Sequence, residues 1–151
     1  MLAVTERGGG FWVLTPLRTA QGVVLVNRGF VPDARRDAAT RAAGQVAGPV
    51  SVTGLLRISE PGGAFLRAND PARDRWYSRD VAAIARARHV ASPAPFFVDA
   101  DATPNPGGFP IGGLTVVRFP NNHLIYALTW FGLAAICVAA LRLLSRKRDP
   151  A

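Results

Sequence analysis

FWVLTPLRTAQGVVLVNRGFV, residues 11–31, contains two runs of β-branched and aromatic residues with a short glycine-containing turn between them. The first run is FWVLTPL (residues 11–17) and the second is VVLVNRGFV (residues 23–31). Two such runs joined by a short turn favour a β-hairpin. The hairpin is therefore the starting point for the rest of the predicted domain.

The remaining chain is divided by proline and glycine into short segments, which together predict a small antiparallel β domain. Further strands are predicted at PVSVTGLLRI, PFFVDAD and GLTVVRF (residues 49–58, 95–101 and 113–119). Residues 33–48 and 60–75 are predicted loops. The predicted fold is α+β and β-rich: this β domain carries one short helix and is followed by a C-terminal transmembrane helix.

The short helix is predicted from Arg79 to about Arg88, with Ser78 as its N-cap. Asp80 would lie in its first turn, where a negative charge complements the helix dipole. The apolar positions of this segment share one face, which is expected to pack on the sheet (Val81, Ile84 and Ala85).

Residues 124–141 are 18 consecutive residues without a charge. A helix of this length spans roughly 27 Å, close to the hydrocarbon thickness of a bilayer. Tyr126 and Trp130 suit the membrane interface at one end, and basic residues follow the other end. We therefore predict an extracytoplasmic β domain (residues 1–118), a transmembrane helix (119–145) and a basic cytoplasmic or matrix tail (146–151).

Composition excludes several classes of function. The net charge is +8, but the arginines are scattered and form no basic stripe, so a nucleic-acid partner is not expected. One cysteine and two histidines are too few for a thiolate cage or a multi-histidine metal site. No catalytic set of residues can be assembled. The remaining candidate for enzyme chemistry is the carboxylate pair Asp99 and Asp101, whose alternative is a strand end where the acids face solvent or accept hydrogen bonds from the backbone N–H groups of a turn.

His123 stands at the start of the apolar segment and has two interpretations. It is either a polar anchor at the headgroup level or an axial ligand of a haem iron, which needs a single imidazole from the protein. On a helix, His123, Tyr126 and Trp130 share one face, so aromatic rings would flank a flat macrocycle. Arg118, five residues earlier, could pair with haem propionates.

Several motifs occur in a fixed order along the chain: FWVLTPL, VLVNRGFVP, VTGLLR, NDP with RWYSRDV, FFVDAD and TVVRFPNNHLIYALTWFGLA, between residues 11 and 134. In this order they resemble the surfeit locus protein 1 family of cytochrome c oxidase assembly factors. The blocks NRGxVP and NNHLxYAxTW are the most specific. Phe30 stands where the family usually has tryptophan.

The resemblance implies a non-catalytic factor that helps to deliver or insert haem a into the largest subunit of cytochrome c oxidase. The implied partners are the membrane, that subunit and, as a further candidate, haem a synthase. The implied location is the bacterial plasma membrane or the mitochondrial inner membrane, with the β domain on the periplasmic or intermembrane-space side. Within the motif, His123 matches the histidine that is implicated in haem binding in bacterial members of the family. The alternative is a scaffold that stabilises an oxidase assembly intermediate without binding haem.

The resemblance also indicates a difference at the N-terminus. Members of the family carry a membrane helix before the β domain, and MLAVTERGGG contains no apolar segment of that kind. We therefore expect the chain to be N-terminally truncated relative to the family, through a misplaced start or because it is a fragment.

Overall fold

The structure is a computed structural model that describes residues 1–115 and 121–146. The chain divides into two compact units, Met1–Thr115 and Val116–Ala151, and each is described separately. The first unit contains the β domain. The second contains one long helix.

The hairpin predicted from residues 11–31 is present. Strand β2 (Gly8–Thr19) pairs antiparallel with strand β3 (Gly22–Val31). A preceding strand, β1 (Leu2–Thr5), pairs antiparallel with the start of β2 and was not predicted. Since β1 has four residues and ends in a polar turn, its alternation is too short to be read from the sequence.

Two later strands complete a five-stranded sheet in the order β1-β2-β3-β5-β4. Strand β4 (Gly54–Ile58) pairs antiparallel with strand β5 (Pro93–Ala100), and β5 pairs parallel with β3. The predicted α+β, β-rich class is confirmed, and the sheet is mixed, with one parallel pairing among mostly antiparallel ones. A parallel pairing needs a long crossover connection, which the segment between β3 and β5 provides.

Two predicted strands differ from the structure. The strand predicted at residues 49–58 begins only at Gly54, because its partner β5 ends at Ala100, opposite Gly54. The strand predicted at residues 113–119 is not formed over 113–115, and its remaining residues lie outside the described part of the chain.

The short helix α1 (Val81–Ala87) begins two residues later than predicted. Its N-cap is Asp80, whose carboxylate accepts a hydrogen bond from the backbone N–H of Ala83 at 2.9 Å. The prediction of Ser78 as the cap is wrong. Ser78 is buried, and its hydroxyl instead accepts hydrogen bonds from Asn69 Nδ2 and the backbone N–H of Gly63.

The core of the β domain lies between the sheet and α1. The predicted apolar face of α1 is buried, and its residues join side chains from β3, β5 and the preceding loop in one cluster (Leu25, Trp76, Val81, Ile84 and Phe97). Burial of apolar side chains is the main stabilising contribution of such a cluster, at about 25 cal/mol per Å² removed from water.

Short 3₁₀ helices lie in the connecting segments (Asp33–Arg35, Ala38–Gly44, Pro71–Arg73 and Pro106–Gly108). The last segment of the domain is held against β3 by two backbone hydrogen bonds between Phe30 and Ile111, at 2.8 and 2.9 Å. This contact requires glycine at position 29, where φ is +120° and an added Cβ would lie 2.0 Å from the carbonyl oxygen of Ile111.

The second unit contains helix α2 (His123–Arg146), which covers residues 123–145 of the predicted transmembrane segment. Residues 121 and 122 precede the helix, and residues 119 and 120 lie outside the described part of the chain.

Candidate functional site

Helix α2 is compatible with membrane association. Among the described residues it alone is long and apolar enough to cross a bilayer, over His123–Ser145. Its 23 residues span about 34 Å, slightly more than the hydrocarbon core. The hydroxyls of Thr129 and Ser145 donate to the carbonyl oxygens of Ile125 and Leu141. These two hydroxyls are therefore satisfied within the helix, as an apolar environment requires.

His123 is the first residue of α2, and its position follows from the local sequence. The side-chain oxygen of Asn121 accepts a hydrogen bond from the backbone N–H of His123 at 3.2 Å. The backbone N–H of Tyr126 donates to the carbonyl oxygen of Asn122 at 3.1 Å. The two asparagines therefore accept hydrogen bonds from backbone N–H groups of the first helical turn. The exposed imidazole of His123 takes no part in these contacts.

The structure brings three of the four predicted site residues onto one helix. Tyr126 and Trp130 follow His123 by three and seven residues, so all three lie within about 60° of one another around the helix axis. Tyr126 is 66% exposed and Trp130 is 69% exposed. The fourth predicted residue, Arg118, lies outside the described residues.

This face has the donor chemistry of a haem site. An imidazole at the end of the row can ligate an iron, and the two aromatic rings can lie along a flat apolar macrocycle. The distance along the axis from His123 to Trp130 is about 10 Å, so an extended ring system can contact both. The residues present therefore fit such a group.

A second cluster of polar residues, which we name the Asp99 cluster, is buried in the β domain. Asp99 on β5 is 2% exposed, and its Oδ1 accepts a hydrogen bond from Asn27 Nδ2 on β3 at 2.8 Å. Its Oδ2 accepts from Thr115 Oγ1 at 2.9 Å and, more weakly, from Arg57 on β4 at 3.4 Å. Donors from three separate parts of the chain therefore meet at one carboxylate.

The sheet register explains why these residues meet. Asn27 lies opposite Asp99 in the parallel β3–β5 ladder, two residues beyond the core pair Leu25 and Phe97. Residues two apart on a strand share a face, so the polar pair continues the row of the hydrophobic core. A buried carboxylate is tolerated there because each oxygen is hydrogen bonded.

Neighbouring charges extend the Asp99 cluster toward α1. Arg57 and Arg79 both approach Glu60 Oε1, at 3.5 and 3.1 Å. The guanidinium of Arg79 also lies 5.5 Å from the ring centroid of Phe97 and 5.8 Å from that of Trp12. Arg79 therefore links a surface carboxylate to the aromatic part of the core.

The NRG motif of residues 27–29 lies within β3, and its arginine makes structural contacts. Arg28 donates through Nη2 to the carbonyl oxygen of Gly44 at 2.6 Å and to Asn105 Oδ1 at 2.7 Å. Burial lowers the pKa of Arg28, and the nearby charge of Arg41 lowers it further. Arg28 joins two loops that are distant in sequence.

Asp99 and Asp101 have separate sets of partners. Asp101 lies beyond the end of β5, and its Oδ1 accepts a hydrogen bond from the backbone N–H of Thr103 at 2.9 Å. Hydrogen bonds from Thr103 lower the pKa of Asp101. Each carboxylate thus accepts hydrogen bonds from its own donors, and the geometry offers no support for a pair that shares a proton.

Sequence reasoning missed the Asp99 cluster. Asn27, Arg57 and Thr115 lie in three different motifs, and Asn27 is 72 residues from Asp99. The available signal was an acidic residue inside the apolar run PFFVDA, since an acid within a buried strand needs a partner. The identity of that partner depends on the parallel strand pairing.

The fold and α2 together define a class of protein: a β-rich domain followed by one membrane-length helix that begins at a histidine. A family model described as the SURF1 family matches residues 1–135. The chain belongs to the SURF1 family.

Curated relatives agree with this assignment. The chain is 45% identical over 142 residues to a "SURF1-like protein" of Monosiga brevicollis, a match that covers 91% of this chain and 53% of that protein. It is 43% and 42% identical to "Surfeit locus protein 1" of Mus musculus and Homo sapiens, over 89% and 83% of this chain and 43% and 42% of theirs. The chain thus spans about half or less of the length of these relatives. No solved structure matches it.

Proposed function

We propose that this chain acts in the assembly of cytochrome c oxidase, as a non-catalytic factor that holds haem a for insertion into the largest oxidase subunit. Family membership supports the assembly role through the motifs described above. The observation that carries the haem part is the position of His123, exposed at the first turn of a membrane-length helix and on one face with Tyr126 and Trp130.

In this proposal His123 would hold haem a through its imidazole, and haem a would supply the iron that the imidazole ligates. Iron is ligated by an imidazole nitrogen that carries no proton, so His123 would bind in its neutral form. Tyr126 and Trp130 would pack against the apolar ring and orient it. Arg118, outside the described residues, is the proposed partner of the propionates at the water boundary.

The proposed location follows from the ends of α2. Arg146, Lys147 and Arg148 would lie on the cytoplasmic or matrix side, since basic flanks favour that side. His123 would then face the periplasm or intermembrane space together with the β domain. Haem a synthase and the largest oxidase subunit are the proposed partners.

The test uses the two histidines of the chain as a matched pair. The chain is co-expressed with the enzymes of haem a biosynthesis and purified in detergent. The Soret absorbance of the purified protein is then measured per mole of protein. We expect His123→Ala to lose most of the absorbance and His89→Ala to keep it, because His89 is exposed just after α1 in the β domain.

Equal haem content in the two variants would refute His123 as the ligand. If oxidase subunits co-purify with the chain and no Soret band is present, the scaffold alternative replaces the haem-binding one. If neither haem nor oxidase subunits co-purify with a correctly folded chain, the proposed assembly function itself is contradicted.

A further inference from the structure

The β domain contains a cavity of about 730 Å³ that the haem proposal does not use. It is bordered by β2, by the middle of α1 and the residues just after that helix, and by the segment before α1. Its floor is apolar and includes Leu14, Leu25 and Ile84, of which Leu25 and Ile84 belong to the core. The volume lies within the range of about 300–1,000 Å³ that is typical of small-molecule sites.

Aromatic side chains form the walls of this cavity. Phe11, Trp12 and Trp76 all line it. Trp76 is 5% exposed, and its indole N–H donates to Asp74 Oδ1 at 2.8 Å, so this wall is fixed by a hydrogen bond. An apolar molecule of moderate size would find rigid contact surfaces on several sides.

The rim of the cavity is strongly basic. Five arginines and a single carboxylate line it (Arg36, Arg41, Arg73, Arg75, Arg88 and Asp74). Asp74 is already paired with Arg88, and Arg73 lies 3.8 Å from Asp70 outside the cavity. Within the described residues, the other three arginines have no carboxylate within 4.0 Å (Arg36, Arg41 and Arg75).

Arg36 on the rim is in contact with an aromatic wall of the cavity. Its guanidinium lies 4.6 Å from the ring centroid of Phe11, so the charge is held at the edge of an aromatic wall. An acid whose apolar part rested on the floor would place its head group beside such guanidinium groups. Arginine binds carboxylate and phosphate through paired N–H groups, which favours an anion over a neutral polar group.

We propose that this cavity binds an amphipathic acid, a molecule with an apolar body and a carboxylate or phosphate head. The site lies wholly in the β domain, and the proposal does not depend on haem binding at His123. The apolar floor and aromatic walls take the body, and the unpaired rim arginines take the head. Complementary charge is what selects this occupant over a neutral apolar molecule.

The cavity can be probed by its own tryptophans. The chain has three tryptophans, and Trp130→Phe leaves only Trp12 and Trp76, both of which line the cavity. The full chain carrying this change is placed in nanodiscs of zwitterionic lipid, and empty nanodiscs correct for probe that enters the bilayer. Octanoate, octyl phosphate, octan-1-ol and acetate are then titrated while the fluorescence is recorded.

We expect a saturable change with octanoate or octyl phosphate and at least tenfold weaker binding of octan-1-ol and acetate. The tighter of the two acids distinguishes a fatty-acid head from a lipid-like phosphate head. Arg36→Ser with Arg75→Ser should weaken binding of the acids at least tenfold. The matched control is Arg7→Ser with Arg18→Ser, which removes the same charge from exposed positions outside the cavity and should leave binding unchanged.

Three results would overturn the proposal. They are equal binding of octan-1-ol and octanoate, equal weakening by the control pair, and no saturable change with either acid. If the third result is accompanied by a dimer in which the two tryptophans are protected, the cavity is assigned to a second copy of the chain. Because the four probes are compared on one and the same Trp130→Phe protein, the conclusion does not rely on the arginine variants folding.

Discussion

Removal of the carboxylate at Asp99 should destabilise the β domain more than removal of any neighbouring acid. In Asp99→Ala, the donors Asn27, Arg57 and Thr115 all lose their acceptor at once. Asp101→Ala is the matched control, because Asp101 accepts from the backbone of Thr103 and lies outside the strand.

The size of the effect follows from the burial of each donor. Asn27 is 2% exposed, so its amide cannot reach water, and an unsatisfied buried donor costs about 1–3 kcal/mol. Thr115 and Arg57 are partly exposed and can be rehydrated, so each loses only about 0.5–1 kcal/mol. The sum is about 2–5 kcal/mol for Asp99→Ala, compared with less than about 1 kcal/mol for the control.

The measurement is urea unfolding of the full chain in non-ionic detergent micelles. Tryptophan fluorescence is followed in the Trp130→Phe background, so that the transition reports on Trp12 and Trp76 in the β domain. A double-mutant cycle between Asn27→Ala and Asp99→Ala should give a coupling energy of about 1–3 kcal/mol.

Two results would refute this account of the Asp99 cluster. One is a cost for Asp99→Ala that does not exceed the cost for Asp101→Ala. The other is additive behaviour in the cycle, which would mean that the hydrogen bond from Asn27 contributes nothing to stability.

Three further predictions concern single positions. Gly29→Ala should destabilise the domain by more than about 2 kcal/mol, because the φ of Gly29 is +120° and the added Cβ would lie 2.0 Å from the Ile111 oxygen. The control is Gly9→Ala, where an added Cβ would have no atom within 4 Å. In the same urea assay it should change stability by less than about 0.5 kcal/mol. Asp80→Ala should cost about 1 kcal/mol through loss of the α1 cap, and Asp80→Asn should restore most of it. Burial raises the pKa of Asp74, but its hydrogen bonds with neighbouring side chains outweigh this and lower the pKa below its usual value of 3.8. A lowered carboxyl pKa gives stability that is present above the unfolded value and lost as the pH falls through the folded value, so Asp74→Asn should flatten the fall in thermal stability below about pH 4.

Local sequence predicted the positions of the strands and of α1 better than it predicted which strands pair with each other. The hairpin over residues 11–31 and the buried face of α1 follow from composition and periodicity, and the structure confirms both. The parallel pairing of β3 with β5 could not be predicted, because both strands are short apolar runs that carry no information about direction. The Asp99 cluster depends on that pairing and was missed for the same reason.

The N-cap of α1 shows how tertiary contacts decide between equivalent local signals. Ser78 and Asp80 are both good caps, and the sequence alone favoured Ser78. In the structure, Asn69 and Gly63 donate to the Ser78 hydroxyl, which leaves Asp80 to cap the helix. On α2, by contrast, the shared face of His123, Tyr126 and Trp130 needs only helical geometry, so it could be predicted directly.

The parallel ladder between β3 and β5 imposes an order on folding. Asn27 and Asp99 are 72 residues apart, so the centre of the sheet cannot close until β5 has been synthesised. Long loops must be closed before such contacts become favourable, which slows folding relative to a structure of local hairpins. The β1–β2–β3 hairpins can form early, with one edge of β3 unpaired until β5 arrives. During that interval β3 is an exposed apolar edge that can pair with other chains, so it needs protection from aggregation while the chain is being made.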